Sequence, residues 1–119
     1  MQMEDIFYEH RRLTQIDWDI LTAEAYGIYV EVGTFHGASA CAAAQKADIV
    51  HTIDIFDWQP KVFNSDNILF FKGTSVDFAT RDDAGVTRLK GNIDVLFIDG
   101  SHEYDSVKKD CEALVPFVK

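Results

Sequence analysis

The sequence predicts an α/β fold, a parallel sheet flanked by helices, and three observations carry that expectation. Four short apolar runs, Ile28 to Gly33, Ile49 to Ile55, Ile68 to Gly73 and Ile93 to Gly100, are continuous and rich in Val, Ile and Phe. That is the pattern of strands covered on both faces. The stretches between them are long enough for crossover connections, which parallel neighbours require. The first run ends in Glu31-Val32-Gly33-Thr34-Phe35-His36-Gly37-Ala38-Ser39, a glycine-bracketed turn that opens a helix beside a ligand. Right-handed crossovers then give the spatial order 3-2-1-4.

Each element has its own justification. Residues 1–26 carry Ile6, Phe7, Leu13, Ile16, Trp18, Ile20, Leu21 and Tyr26 at mixed helical spacing, which predicts one or two helices, with Thr14 and Asp17 as candidate caps. This N-terminal helical segment either lids the pocket or covers one sheet face. Residues 27–119 form the sheet-bearing part of what reads as a single domain. The connection Thr34 to Asp48 is alanine-rich and near the minimum for a helical crossover. Ala38, Cys41, Ala42 and Gln45 share one of its faces, and small residues let it approach the sheet. Phe56 to Asn67 contains Pro60 and several polar residues, so it reads as loop with at most one helical turn. Val76 to Leu89 predicts a helix interrupted or bent near Gly85, and Tyr104 to Val115 a more regular one. No internal repeat, low-complexity segment or linker is visible.

Composition narrows the function classes. At 119 residues the chain is one domain by length. Eleven Lys plus Arg stand against 20 Asp plus Glu, a net charge of -9, which argues against a nucleic-acid partner because phosphate backbones demand basic surface. Cys41 and Cys111 share no ligand spacing and fall in predicted helices. They read as small buried hydrophobes rather than as a disulfide or a zinc site. No basic-then-apolar leader and no run of about 18 apolar residues is present, so a soluble, unexported, cytoplasmic protein with no membrane partner is expected.

The glycine turn discriminates between cofactors. A dinucleotide site needs Gly-x-Gly-x-x-Gly, with the second glycine bare so that the backbone can approach a pyrophosphate. Here that place is Phe35, which argues against NAD and FAD and against an oxidoreductase. Glu31, inside the strand, suits a partner bearing positive charge or hydrogen-bond donors. S-adenosylmethionine, with its ammonium and sulfonium, fits better. Ligands of open α/β sheets bind at the C-terminal strand ends, where strand order reverses. Asp54, about 20 residues beyond the first glycine, stands where a carboxylate accepts from ribose hydroxyls; Asp57 is the competing candidate and a solvated strand-end acid the plain alternative. Ile55 and Phe56 can wall the base.

These residues resemble a known family. Glu31-Val32-Gly33-Thr34 with Gly37 and Ser39 is similar to the first motif of class I S-adenosylmethionine-dependent methyltransferases, in particular a small-molecule O-methyltransferase-like branch whose fourth strand ends in Ile-Asp-Gly-x-His. Ile98-Asp99-Gly100-Ser101-His102 follows an apolar strand and leads into a helix carrying Asp110, as in that branch. The resemblance spans roughly residues 27–119 and implies a Rossmann-like sheet. It places Glu31, Gly33, Thr34, Phe35, His36, Gly37, Ser39, Asp54, Ile55, Thr74, Ser75 and Asp99 at the cofactor. Gly73-Thr74-Ser75 resembles the adenine-side loop, although Thr74 or Ser75 can equally cap a helix. Asp99 would hold the cofactor ammonium or ligate Mg²⁺, a hard cation that would polarise a substrate hydroxyl. His102 is placed either as a base near neutral pKa or as a local helix-start residue. Tyr104 either lines the pocket or packs in the core.

The resemblance also implies departures. Class I members carry seven strands, and this sequence reaches Pro116-Phe117-Val118-Lys119 where a fifth would begin, so the sheet is expected to be C-terminally short, missing the usual last strands. In the metal-dependent branch the remaining ligands come from that fifth strand, leaving Asp99 with an incomplete site. The fourth strand, Val95-Leu96-Phe97-Ile98, would be an open edge, and a homodimer through it is expected. The function implied is methyl transfer to a small-molecule acceptor at oxygen, by in-line displacement with catalysis mostly from positioning. The alternative is a non-catalytic cofactor-binding or protein-interaction domain derived from a methyltransferase.

Overall fold

The structure is a computed structural model that describes residues 23–34, 37–57, 66–98 and 103–119. Its sheet has four parallel strands, β1 (Ile28–Val32), β2 (Ile49–Asp54), β3 (Ile68–Lys72) and β4 (Val95–Ile98), in the order β3-β2-β1-β4. The expected Rossmann-like order is the one observed. In the register, Val30 stands opposite His51 on one side and Leu96 on the other.

Because β1 is central, successive side chains enter opposite cores. Tyr29 joins Val50 and Ile68 on one face, beneath helix α1 (Ala38–Ala43), whose Ala40, Cys41, Ala42 and Ala43 are all buried. Alanines at a helix–sheet contact allow close approach, which is why this short crossover suffices. Val30 and Val32 point the other way, into Ile53, Phe78, Val86, Leu89, Ile93, Leu114 and Phe117. That face is covered by α2 (Ser75–Ala79), α3 (Ala84–Leu89), α4 (Tyr104–Leu114) and a closing 3-10 turn, Val115–Phe117.

Four details differ from the sequence expectation. The helix expected from Val76 to Leu89 is two helices, and the break falls at residues 80–83, ahead of Gly85. Asp83 causes it, since its carboxylate accepts from Val86 N at 2.8 Å and starts α3 anew. Ladder pairing of the fourth strand starts at Val95, because Asp94 turns its carboxylate onto Ile28 N at 2.8 Å, while Ile93 makes a parallel bridge with Val118. Gln45 lies past the end of α1 and is exposed instead of sharing its inward face. Tyr104 is 77 % exposed and packs in no core. The helices expected before Ala23, most of the loop around Pro60, and Phe35, His36, Asp99 and His102 lie outside the described residues.

Candidate functional site

A cleft of about 200 Å³ opens at the C-terminal ends of β1, β2 and β3. Its walls are Val32 and Gly33 from the first strand end, Ile53, Asp54 and Ile55 from the second, and Gly73, Thr74 and Ser75 from the third. Ser106 and Asp110 of α4 close the remaining side. A larger cleft, about 430 Å³, lies between α2, α4 and the 3-10 turn and is lined by no strand-end residue. The topology of open parallel sheets favours the smaller one as the ligand site.

The first turn is built by its glycines. Gly33 N–H donates to Ile53 O at 2.8 Å, extending the ladder one residue past β1. Gly37, at φ 87°, takes the left-handed N-cap position of α1, and its N–H closes the turn on Thr34 O at 2.8 Å. Beneath this turn sits a buried polar chain. Glu31 is fully buried; one carboxylate oxygen accepts from the Tyr29 hydroxyl at 2.9 Å and the other from Thr52 at 2.7 Å. With the Thr52 proton directed to Glu31, the Thr34 hydroxyl, 2.7 Å away, must donate to Thr52. Glu31 and Thr34 therefore brace the turn from below and do not line the cleft. Ser39 is buried in the first turn of α1. The Cys41 thiol beside this network is pushed up to about 11, by burial first and then by the Glu31 charge, so it is not a reactive thiol.

The second strand end carries the acid. Asp54 backbone O accepts from Gly73 N at 2.8 Å, and its Oδ1 accepts from Phe56 N at 3.0 Å. That local turn sends Ile55 and Phe56 outward, 57 % and 62 % exposed. Of the two, Ile55 lines the cleft, and an exposed apolar side chain there offers a flat ligand a hydrophobic wall. Asp57 is exposed and does not line the cleft.

The third strand end resolves one open alternative. Thr74 forms a capping box with Asp77: its hydroxyl accepts from Asp77 N at 3.0 Å, and Asp77 Oδ2 accepts from Thr74 N at 3.0 Å. The cap reading of Thr74 is thus realised, and the residue still borders the cleft. Hydrogen bonding from Thr74, its backbone N–H first and its side chain second, holds the Asp77 carboxyl below its ordinary value. Ser75 is 2 % exposed and its hydroxyl donates to Asp110 Oδ1 at 2.5 Å.

The structure thus brings Gly33, Asp54, Ile55, Thr74 and Ser75 to one cleft and adds Ser106 and Asp110, which sequence reasoning did not place in a site. The available signal was their i, i+4 spacing, which puts both on one face of α4. Among the described residues that line the cleft none is Lys or Arg, whereas their carboxylates and hydroxyls suit a ligand rich in donors. Among the described residues no group of three or more His, Cys, Asp or Glu is arranged to hold a metal ion. No described helix is long and apolar enough to cross a membrane.

Comparison with known proteins follows the same line. A family profile described as a methyltransferase domain matches residues 30–119. No curated protein matches the sequence. Among solved structures, a protein from Anaeromyxobacter dehalogenans, described provisionally as a type II methyltransferase, is similar at a TM-score of 0.65 and 14 % identity. The match covers 91 % of this chain and 44 % of that one. At such identity the likeness is one of fold, and the chain spans less than half the length of that neighbour.

Proposed function

This chain belongs to the methyltransferase-domain family, and from that premise we propose that its strand-end cleft binds S-adenosylmethionine for methyl transfer to a small-molecule acceptor at oxygen. The observation that carries the proposal is the cleft's composition. Among its described residues it combines a carboxylate at the end of β2, an apolar wall at Ile55, and hydroxyls and a carboxylate opposite. Asp54 would accept from the ribose diol, and Ile55 would cover one face of the adenine. The glycine turn would admit the amino-acid end, with Asp99, outside the described residues, as the expected partner of its ammonium. When bound, the cofactor supplies a methyl group activated by the sulfonium. The chain's own contribution is to bind and orient, since proximity and alignment account for much of such catalysis.

Calorimetric titration with S-adenosylhomocysteine, with NAD as control and in the presence and absence of Mg²⁺, tests this reading. Saturable binding of S-adenosylhomocysteine without binding of NAD is expected. No binding, or equal binding of NAD, would overturn it. The Mg²⁺ arm separates the metal-assisted variant: a metal-dependent affinity would support a ligand role for Asp99.

A further inference from the structure

We propose that the second cleft, between α2, α4 and the closing 3-10 turn, binds a small apolar monocarboxylate, at a site separate from the strand-end cleft and independent of the cofactor reading. Three observations carry it. The volume, about 430 Å³, falls in the range of small-molecule sites. The floor is apolar: Phe117 is buried, Ala79 and Ala113 are half-buried, and Val76 and Pro116 are exposed. The lining also carries two exposed cations, Lys90 at the end of α3 and Lys109 on α4, and neither has an ion-pair partner among the described residues.

Helix spacing builds this lining. Lys109, Glu112, Ala113 and Pro116 stand at i, i+3, i+4 and i+7 along α4 and the turn that follows it, and Val76, Ala79 and Thr80 at i, i+3 and i+4 along α2 and its C-cap. Each helix therefore turns one stripe into the cleft. Ser106 and Asp110 use another face of α4 for the strand-end cleft. Polarity then selects the ligand. The Thr80 hydroxyl donates its one proton to Val76 O at 2.7 Å, and Glu112 is engaged by Lys108 at 3.8 Å. The side-chain donors left in the lining are the two ammonium groups. Lysine stems can pack along apolar surface while the charged head reaches water, so an anion with an apolar body can meet both parts at once. Size separates a small ligand from a docked helix. The α2 wall is five residues long, about 7 Å, shorter than the roughly 10 Å between i and i+7 anchors of a helix laid in a groove. Two cations offset by one acid in the same lining suit a single carboxylate better than a polyanion.

Amide ¹H–¹⁵N spectra of the labelled chain, titrated at neutral pH with octanoate, 1-octanol or octylammonium, test the inference. Octanoate is expected to give saturable shifts at Val76, Ala79, Thr80, Ala113 and Phe117. The neutral alcohol should shift the same amides more weakly, and the cation most weakly of all. In the Lys90→Gln, Lys109→Gln double variant, with circular dichroism to establish folding, octanoate should bind about three- to tenfold more weakly and 1-octanol as before. A merely structural role of the lysines would weaken both ligands alike. Octanoate shifts absent from these amides, octylammonium binding as tight as that of octanoate, or a double variant that loses both ligands equally or neither would each overturn the inference. So would shifts of the same amides on raising protein concentration alone, which would assign the face to a second copy of the chain. Because no arm uses S-adenosylhomocysteine, failure here and failure of the cofactor reading are told apart directly.

Discussion

Asp94 shows how much a single carboxylate can organise. Its Oδ2 accepts from Ile28 N at 2.8 Å, and its Oδ1 lies 2.7 Å from Lys119 Nζ. It joins the start of β1 to the lead-in of β4 and to the last residue. The neighbouring Gly27 has φ 58°, and a Cβ there would come within 2.1 Å of Asp94 Oδ2. Gly27→Ala should therefore destabilise by about 1–2 kcal/mol from the left-handed backbone alone, and further by displacing Asp94; chemical denaturation would measure it. Thr52→Val tests the buried chain under the glycine turn. It removes the partner shared by Glu31 and Thr34 and should cost roughly 1–3 kcal/mol for each buried group left unmatched. At the site, Asp54→Ala should weaken S-adenosylhomocysteine binding by roughly 1–3 kcal/mol without lowering the melting temperature, and unchanged affinity would remove Asp54 from the ribose role. Gly33, Asp54, Ile55 and Gly73 to Ser75 were legible because their positions follow from where strands end. Glu31 was weighed as a charge near a turn. Its strand parity with Tyr29, which faces α1, explains its burial beneath that turn.

Between elements, the packing of β2 and β3 against α2 concentrates on one aromatic cluster. Phe78 is fully buried, with Phe71 edge-on at 5.4 Å and His51 at 5.9 Å. The Arg81 guanidinium lies 4.8 Å from the Phe78 centroid and 5.1 Å from that of Phe71. Its Nε is 3.1 Å from Asp83 Oδ2, close enough to pair but not aligned as a hydrogen bond. Phe78→Ala should cost about 3–5 kcal/mol. Burial, and then the Arg81 charge, lower the His51 pKa from 6.5. The unfolded chain thus takes up that proton first on acidification. Stability from this group is complete above pH 6.5 and declines as pH falls from there toward the folded-state pKa. His51→Gln should flatten that part of a melting-temperature profile. Asp77 and Asp94 act lower: their folded pKa values lie below 3.8, so their contribution is present above that value and is lost as pH falls through the folded pKa. An interruption near Gly85 was legible; its place at residues 80–83 was not, because the capping Asp83 sets the boundary. The role of Ser106 and Asp110 was not legible, since a helix face becomes a cleft wall only once α4 docks on α2.

For the molecule as a whole, strand count, order and direction were legible because continuous apolar runs and crossover handedness leave few alternatives. What pairs with β4 was not, since edge partners depend on chain or copies beyond the local pattern. Among the described residues, the side of β4 away from β1 is met only at its base, where Ile93 N donates to Phe117 O at 3.1 Å and Lys119 N to Ile93 O at 3.0 Å. Homodimerisation through the rest of that edge is proposed, and sedimentation velocity across a concentration series should reveal a dimer; a monomer throughout would contradict it. The central claim is that the strand-end cleft is the nucleoside site. Amide ¹H–¹⁵N spectra of the labelled protein titrated with S-adenosylhomocysteine test it most directly. Shifts centred on Gly33, Asp54, Ile55, Gly73 to Ser75, Ser106 and Asp110, and reaching the glycine turn and Asp99, are expected; an unperturbed spectrum, or shifts gathered instead around Val76, Ala79, Ala113 and Phe117, would contradict it.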